Sequence, residues 1–483
     1  MLSPGIPSSW RWWHSVIVIS ALLLASARAL LTPSWCDEIA YVDPGVQLAL
    51  TGRMISTAWL TNSPEALWGS SNPGMPLLFA AWFKLVGFGQ AQARLLFCLL
   101  HFAGVFFLFR WIRGSLDPKP WALVFGLAAS LLLPSLANAI FQPRLECLAF
   151  LFCAWFLHYA FDETPGVFRA WIAPLMLGFA IVFFGLHFAG FFALAAIAVF
   201  AASPSRRTFS QGAGLALGLV VGLALLRYAY LRIGVWEVFV EARACHYGRV
   251  LDWVPLGWKR YSATSDMPWL AVLAAIGFLS VARASAWSPT RAWSSWVIAF
   301  AAFCLIPLFI SFVGIYYGNY SWMVALPVML CFYLGAPSLE GSWRTAFVAI
   351  LSLGIFAVAF KFTKRLPDLA KEAGRREQVT ATVAAMLPKG QLVAADFPLY
   401  YQLVGAGYRV FPRVRENEGL CLGFEQEYYL PKYIRRQIGC VVTKKEASAP
   451  VLSGLGGEWR MVTEIPALPG RRPEENYQIY VRK

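Results

Sequence analysis

Runs of apolar residues, each roughly 16–22 long and so about the length that crosses a bilayer core, recur from near Trp12 through Phe360. Nothing else in the chain constrains its fold as strongly. Lipid offers the backbone no hydrogen-bond partner, so each run must satisfy its own N–H and C=O groups as a helix. Composition agrees: 58% of the 483 residues are hydrophobic and 14% charged, against about 25% charged in a water-soluble domain. We expect a polytopic α-helical membrane protein of about 11 transmembrane helices. They are placed near 13–32, 91–112, 120–140, 144–161, 168–185, 187–203, 210–231, 267–284, 292–311, 319–336 and 343–361. The first run is long enough to span and reads as a retained helix rather than a cleaved signal. The net charge of +15 comes from basic residues scattered between apolar runs. That scatter suits cytoplasmic turns and anionic lipid, and no nucleic-acid partner is expected.

Sides follow from the same residues. Arg110, Arg113 and Lys119, then Arg169, then Arg206 and Arg207, then Arg283 and Arg291 fall on alternate turns, which makes those turns cytoplasmic. Arg11 then puts the N-terminus on the inside face of the cytoplasmic (inner) membrane, and an odd number of spans leaves the C-terminal segment outside. Two domains result: a transmembrane part over 1–363, with outer loops at 34–90 and 232–266, and an outer domain over 364–483. In the first loop, Asp43-Pro44 reads as the N-cap and first position of a short helix stopped by Gly52. The apolar stretch 75–88 is too short to span and reads as a helix lying in the interface. In the tail, "QLVAADF", "YRVFP", "GCVVTK" and "NYQIYVRK" read as strands, preceded by a helix over "EQVTATVAAML", giving a small α/β domain. The nine cysteines form no C-x-x-C or Cys/His ligand pattern, which argues against structural zinc. Cys98, Cys147, Cys153, Cys304 and Cys331 lie in apolar runs as small core residues. Cys421 and Cys440 lie in the outer tail, where pairing and free thiols both remain open.

With this topology the unusual polar residues collect on the outer side. Asp37 and Glu38 follow the first span, Arg144 and Glu146 open the fourth, and His187 opens the sixth. Glu241, Arg243, His246 and Arg249 lie in the second loop, and Asn319 and Tyr320 in the connector "GIYYGNYSW". Acids, imidazoles and guanidinium groups on one membrane face suit an acid–base or phosphate site. Each has a purely structural counterpart. Asp37 and Glu38 would favour the positive end of a helix by about 0.3–1 kcal/mol, and Glu146 would do the same for its own helix. His187 would serve as a packed core residue, the 241–249 cluster as a solvated loop, and the Trp and Tyr residues as an interfacial belt.

The order of signals decides between these readings. An apolar span is followed by Asp37-Glu38-x-x-Tyr41, a short helix, a proline-containing segment, a half-length apolar helix, and Gly87 followed seven residues later by Arg94. This order resembles the GT-C membrane glycosyltransferases, most strongly over 31–160. They include the protein O-mannosyltransferases, the aminoarabinose transferases of lipid A and the galacturonosyltransferases of lipopolysaccharide. The resemblance implies an inverting enzyme that moves a sugar from a polyprenyl-phosphate donor to an acceptor hydroxyl on a lipid, glycan or protein. It implies Asp37 as the catalytic base with Glu38 as companion, and Glu146 with Arg144 for metal or acceptor orientation. His187, Arg243 and Arg249 become candidates for the donor phosphate. Glu241, His246, Asn319 and Tyr320 would line the substrate loops. A divalent cation, Mg or Mn, is the only cofactor the resemblance allows. The aminoarabinose branch carries Glu-Lys-Pro before its interfacial helix; here Asn72-Pro73-Gly74-Met75-Pro76 stands instead, without the lysine. The lysine of that branch's late outer loop is absent as well. One carboxylate base suffices for such a transfer, unlike the pair in a glycoside hydrolase. A secondary transporter, the main alternative, would place ionisable groups near the midplane on broken helices. A lipid-linked-oligosaccharide flippase or polymerase would need a large charged cavity.

Overall fold

The computed structural model describes residues 11–58, 67–116, 119–133, 136–137, 144–160, 166–247, 322–335, 341–412 and 436–483, with isolated positions 275 and 297. Its helices are α1 (Trp12–Leu31), α2 (Cys36–Thr51), α3 (Gly74–Val86), α4 (Gln90–Leu116), α5 (Pro120–Leu132), α6 (Glu146–Ala160), α7 (Ala173–Gly185), α8 (Ala189–Ala202), α9 (Arg206–Arg232), α10 (Trp236–Tyr247), α11 (Trp322–Gly335) and α12 (Gly341–Met386). The tail adds β1 (Leu392–Ala395), α13 (Tyr400–Gly405), β2 (Arg409–Phe411), β3 (Ile438–Lys444), α14 (Lys445–Leu455), β4 (Trp459–Ile465) and β5 (Tyr477–Arg482). The chain forms two compact units. One comprises Met1–Ala29, Phe97–Arg232 and Arg249–Lys364; the other comprises Leu30–Leu96, Ile233–Gly248 and Arg365–Lys483.

The first unit is helical. Among the described residues, five helical runs are long and apolar enough to cross a membrane: Trp12–Leu31, Gln90–Gly114, Phe168–Ala202, Arg206–Arg232 and Gly341–Met386. α5 and α6 are shorter apolar helices at two further expected spans, while the spans expected at 267–284 and 292–311 lie outside the described residues. The run 168–202 is two helices rather than one. Trp171 packs on Gly214, Leu175 on Gly218 and Val182 on Gly222, so α7 and α9 run parallel and α8 between them must return. The reversal is made by Gly185, whose ψ of 72° leaves the helical region, and by a single 3₁₀ turn, Leu186–Phe188. Gly214, Gly218 and Gly222 recur every fourth residue, the small-residue spacing that lets helices approach closely in lipid. A Cβ on Gly218 would lie 2.0 Å from the Leu175 carbonyl oxygen. At the other end of these helices, Arg207 donates to the Tyr159 carbonyl (3.2 Å) and the Arg169 guanidinium lies 5.6 Å from the Tyr159 ring centre. Two turns expected on one side thus meet. Cys98, Cys147 and Cys153 are buried free thiols, as their apolar settings imply.

The second unit holds a five-stranded sheet in the order β2-β1-β3-β5-β4. β1 runs parallel to β2 and β3; β5 is antiparallel to β3 and β4. All four expected strands are present. β4 is an addition: Arg460, Met461 and Val462 are all exposed, so this edge strand lacks the alternation that would announce it. Leu392, Ala394, Phe411, Ile438 and Val441 pack against Ala447 and Val451 of α14 to form the core. Cys440 is a buried free thiol whose pKa burial pushes up to about 12; Cys421 lies outside the described residues. The sequence predicts a break between the last span, ending at 361, and the helix before β1. Instead α12 continues over 46 residues with Pro367 inside it. Its far end is anchored by the buried Arg375, which donates to the Glu475 carbonyl (2.7 Å) and lies 4.5 Å from the Tyr477 ring centre.

The first loop belongs to this same unit. α3 exists as expected, with Met75, Phe79 and Phe83 buried in a stripe at i, i+4, i+8 and Leu77, Leu85 and Val86 exposed. It touches α2 closely: a Cβ on Gly45 would lie 2.5 Å from the Pro76 carbonyl oxygen. Gly69 meets Val235 in the same way, at 2.5 Å, which joins the two loops.

Candidate active site

Trp35 caps α2, so Asp37 and Glu38 sit in its first turn, where the helix dipole favours negative charge. Both are buried, Asp37 at 6% exposure and Glu38 at 0%. Glu38 Oε2 lies 2.6 Å from Arg94 Nη2, and Glu38 Oε1 accepts from the Tyr401 hydroxyl at 3.2 Å. Arg94 also donates to the Pro33 carbonyl at 3.1 Å. The Gly87–Arg94 element of the sequence pattern therefore delivers, from α4, the counter-ion of the second acid. Burial pushes the Glu38 carboxyl above its usual pKa, against the pull of the Arg94 charge, the Tyr401 and Arg94 hydrogen bonds and the Trp35 backbone.

Asp43 corrects an expectation. The sequence reads it as an N-cap, but α2 runs from Cys36 to Thr51 straight through Asp43-Pro44. Asp43 is fully buried and serves the loop that follows instead of a helix start. It accepts from Ser56 Oγ (2.6 Å), the Thr57 N–H (2.7 Å), the Ala58 N–H (3.3 Å), Gln47 Nε2 (3.1 Å) and the Tyr400 hydroxyl (2.5 Å). A carboxylate with this many donors is worth more than one capping bond, so tertiary contacts override the Asp-Pro start signal. Gly52 does stop the helix, with φ of 72° and its N–H donating to Leu48. Burial, and then the carboxylates they serve, push the Tyr400 and Tyr401 phenols well above the ordinary tyrosine range.

Arg243 comes from α10. Its Nη2 donates to Ser71 Oγ (2.9 Å) and Asn72 Oδ1 (2.8 Å), and its guanidinium carbon lies 5.2 Å from the Phe239 ring centre. Its Nε is buried and makes no hydrogen bond. Among the described residues Arg243 has no carboxylate partner. Ser71 and Asn72 directly precede Pro73, the N-cap of α3. Where the lysine of the aminoarabinose branch is missing from the sequence, a guanidinium arrives from the other loop.

The remaining candidates divide. In the first unit, Arg144 Nε sits 3.1 Å from Glu146 Oε1, both side chains almost fully buried. Leu145 and Leu148 face Ile181, Gly185 and Phe188 across a narrow apolar gap. The His187 turn therefore lies at the same end of that unit as Glu146. Glu241 is exposed on α10. The His246 side chain, Arg249, Asn319 and Tyr320 fall outside the described residues. Sequence reasoning missed Asp43's role and both tyrosines; no local signal marks partners more than 350 positions away. Among the described residues no three His, Cys, Asp or Glu side chains converge as a metal site. Glu38 is already engaged by Arg94 and Tyr401.

No family model and no curated protein matches the sequence. Solved structures do. ArnT from Cupriavidus metallidurans bound to undecaprenyl phosphate superposes with a TM-score of 0.63 at 15% identity, covering 97% of this chain and 98% of that one. The same protein in the apo state gives 0.59 at 15% identity, covering 97% of each chain. The arabinofuranosyltransferase AftD from Mycobacteria gives 0.53 at 15% identity, covering 98% of this chain and 41% of its own. Likeness at this identity speaks to the fold, and over nearly the whole chain it speaks with one voice. The chain has the fold that ArnT and AftD share.

Proposed function

We propose that the protein is a glycosyltransferase that moves a sugar from a polyprenyl-phosphate donor to a hydroxyl of a lipid, glycan or protein acceptor, at the outer face of the cytoplasmic membrane. The observation that carries the reading is Arg243: a guanidinium held by neutral partners at the start of α3, with one buried N–H unspent. It lies in the same unit as the buried acids of α2. A fold whose relative has been solved with undecaprenyl phosphate adds support.

The chemistry follows from those two poles. The leaving group is an anionic phosphate on a lipid tail, so its counter-charge must sit at the membrane surface. Arg243 would stabilise the charge that develops as the anomeric C–O bond breaks. The acceptor hydroxyl is a weak nucleophile, and Asp37 would take its proton during attack opposite the phosphate, which inverts the anomeric configuration. Glu38, committed to Arg94 and Tyr401, would hold α2 in place. The exposed apolar face of α3 would lie along the lipid interface. The test is undecaprenyl phosphate binding to protein in lipid nanodiscs. Arg243→Gln is expected to weaken it about ten-fold or more, the scale of a lost charge-assisted pair. Equal affinity for the variant would remove Arg243 from the phosphate.

A further inference from the structure

Two consecutive tail tyrosines end on two carboxylates of a single helix. Tyr401 donates to Glu38 Oε1 (3.2 Å) and Tyr400 to Asp43 Oδ1 (2.5 Å), and all four side chains are buried. The rings cross at 80° with centroids 5.5 Å apart, so adjacent residues send their hydroxyls in different directions. Further polar fastenings flank them. Ser34 donates to the Phe397 carbonyl (2.8 Å) just before α2, and Thr57 to the Val410 carbonyl (2.7 Å) just after it. Gln402 donates to Gln90 at 2.9 Å.

Helix geometry shows what this arrangement fixes. At about 100° per residue, Glu38 and Asp43 lie roughly 140° apart around α2. Asp37 falls in the remaining sector, about 100° from one and 120° from the other. A helix tied by directional bonds on two such sides can neither roll nor slide, and the bearing of its third side is set. We infer that the C-terminal domain aims Asp37: Tyr400 and Tyr401 are positioning residues for the transfer reaction. The inference rests on the glycosyltransferase reading above. The tail is then not an appended module but the part of the fold that holds the base on line, where a misplacement of about 1 Å can cost on the order of a hundred-fold in rate.

The experiment uses the full chain in nanodiscs, with radiolabelled undecaprenyl-phosphate sugars as donors and a cell-envelope membrane extract as acceptor. Tyr401→Phe keeps the ring and removes only the hydroxyl. It is expected to lower kcat about ten-fold while KM for the donor changes less than about two-fold. The same substitution is then made in an Asp37→Glu background, where the base is already displaced by one methylene. Positioning that acts through Asp37 has little left to lose there, so the loss should be at least about three-fold smaller than in the wild-type background. A smaller difference between the two losses overturns the inference, because a merely structural defect scales both backgrounds alike. Tyr400→Phe, read identically, replaces Tyr401→Phe if that variant does not fold. A wild type that transfers no sugar from any donor overturns the functional reading and this inference with it. Equal losses in an active enzyme overturn this inference alone.

Discussion

Replacing Arg94 with methionine should expose the charge it neutralises. Arg94 and Glu38 are both 0% exposed and 2.6 Å apart, so methionine keeps most of the packing volume and leaves a buried carboxylate without a counter-charge, held by the Tyr401 hydroxyl alone among side chains. Such a group does not stay charged; it takes a proton. From the ordinary Glu value of 4.5, binding that proton at pH 7 costs about 3.4 kcal/mol at 1.36 kcal/mol per unit, which bounds the penalty from above. The lost bond to the Pro33 carbonyl adds about 1 kcal/mol. Because the native variant would bind a proton that the unfolded chain releases above about pH 4.5, stability must rise as pH falls. The deficit relative to wild type should therefore be about 3–4 kcal/mol near pH 7 and shrink by up to about 1.4 kcal/mol per unit toward pH 5. For a unit of roughly 200 residues that is a depression of about 6–16 °C in the thermal midpoint at neutral pH. The assay is tryptophan-fluorescence melting of purified protein in detergent across pH 5–8. A deficit below about 1 kcal/mol, or one that does not change with pH, would refute the buried pair as the fastening of α2.

Other outcomes test other parts of the account. Gly218→Val should break the α7–α9 contact, since even a Cβ there would lie 2.0 Å from the Leu175 carbonyl; a loss of about 2 kcal/mol or more is expected from overpacking, read as a drop in thermal midpoint and folded yield. Tyr400→Phe should flatten alkaline unfolding. A phenol whose folded pKa is raised contributes stability that is fully present below about pH 10 and lost as pH climbs through the folded value, so fluorescence-monitored alkaline titration should show a shallower decline for the variant.

How much of this was legible locally depends on the residue. The reversal at Gly185–Phe188, the half-length helix α3 and four strands are written in apolar run length, glycine placement and short β-rich runs between turn residues, which act over a few positions. Asp43 shows the limit of such rules. Asp-Pro is a fair start signal, yet the N–H groups of Thr57 and Ala58 and the Tyr400 hydroxyl claim the carboxylate and the helix continues through it. Arg94 stood in the pattern as an endpoint, but its partner could not be named until α4 met α2. Arg243 was a loop cation among several; only the fold brings it to Ser71 and Asn72, more than 170 positions away. The tail carried the largest surprise. Its strands were readable, whereas its grip on α2 depends on tyrosines that look like ordinary core residues.

The central claim is that Asp37 takes a proton from an acceptor hydroxyl while a polyprenyl phosphate leaves. Its most direct test is the rate at which undecaprenyl phosphate is released from an undecaprenyl-phosphate sugar by wild type and by Asp37→Asn, compared at equal amounts of folded, membrane-inserted protein. The account predicts acceptor-dependent release by the wild type and a loss of about a hundred-fold or more in the variant, with undecaprenyl phosphate binding retained. Release at the wild-type rate by Asp37→Asn would contradict it.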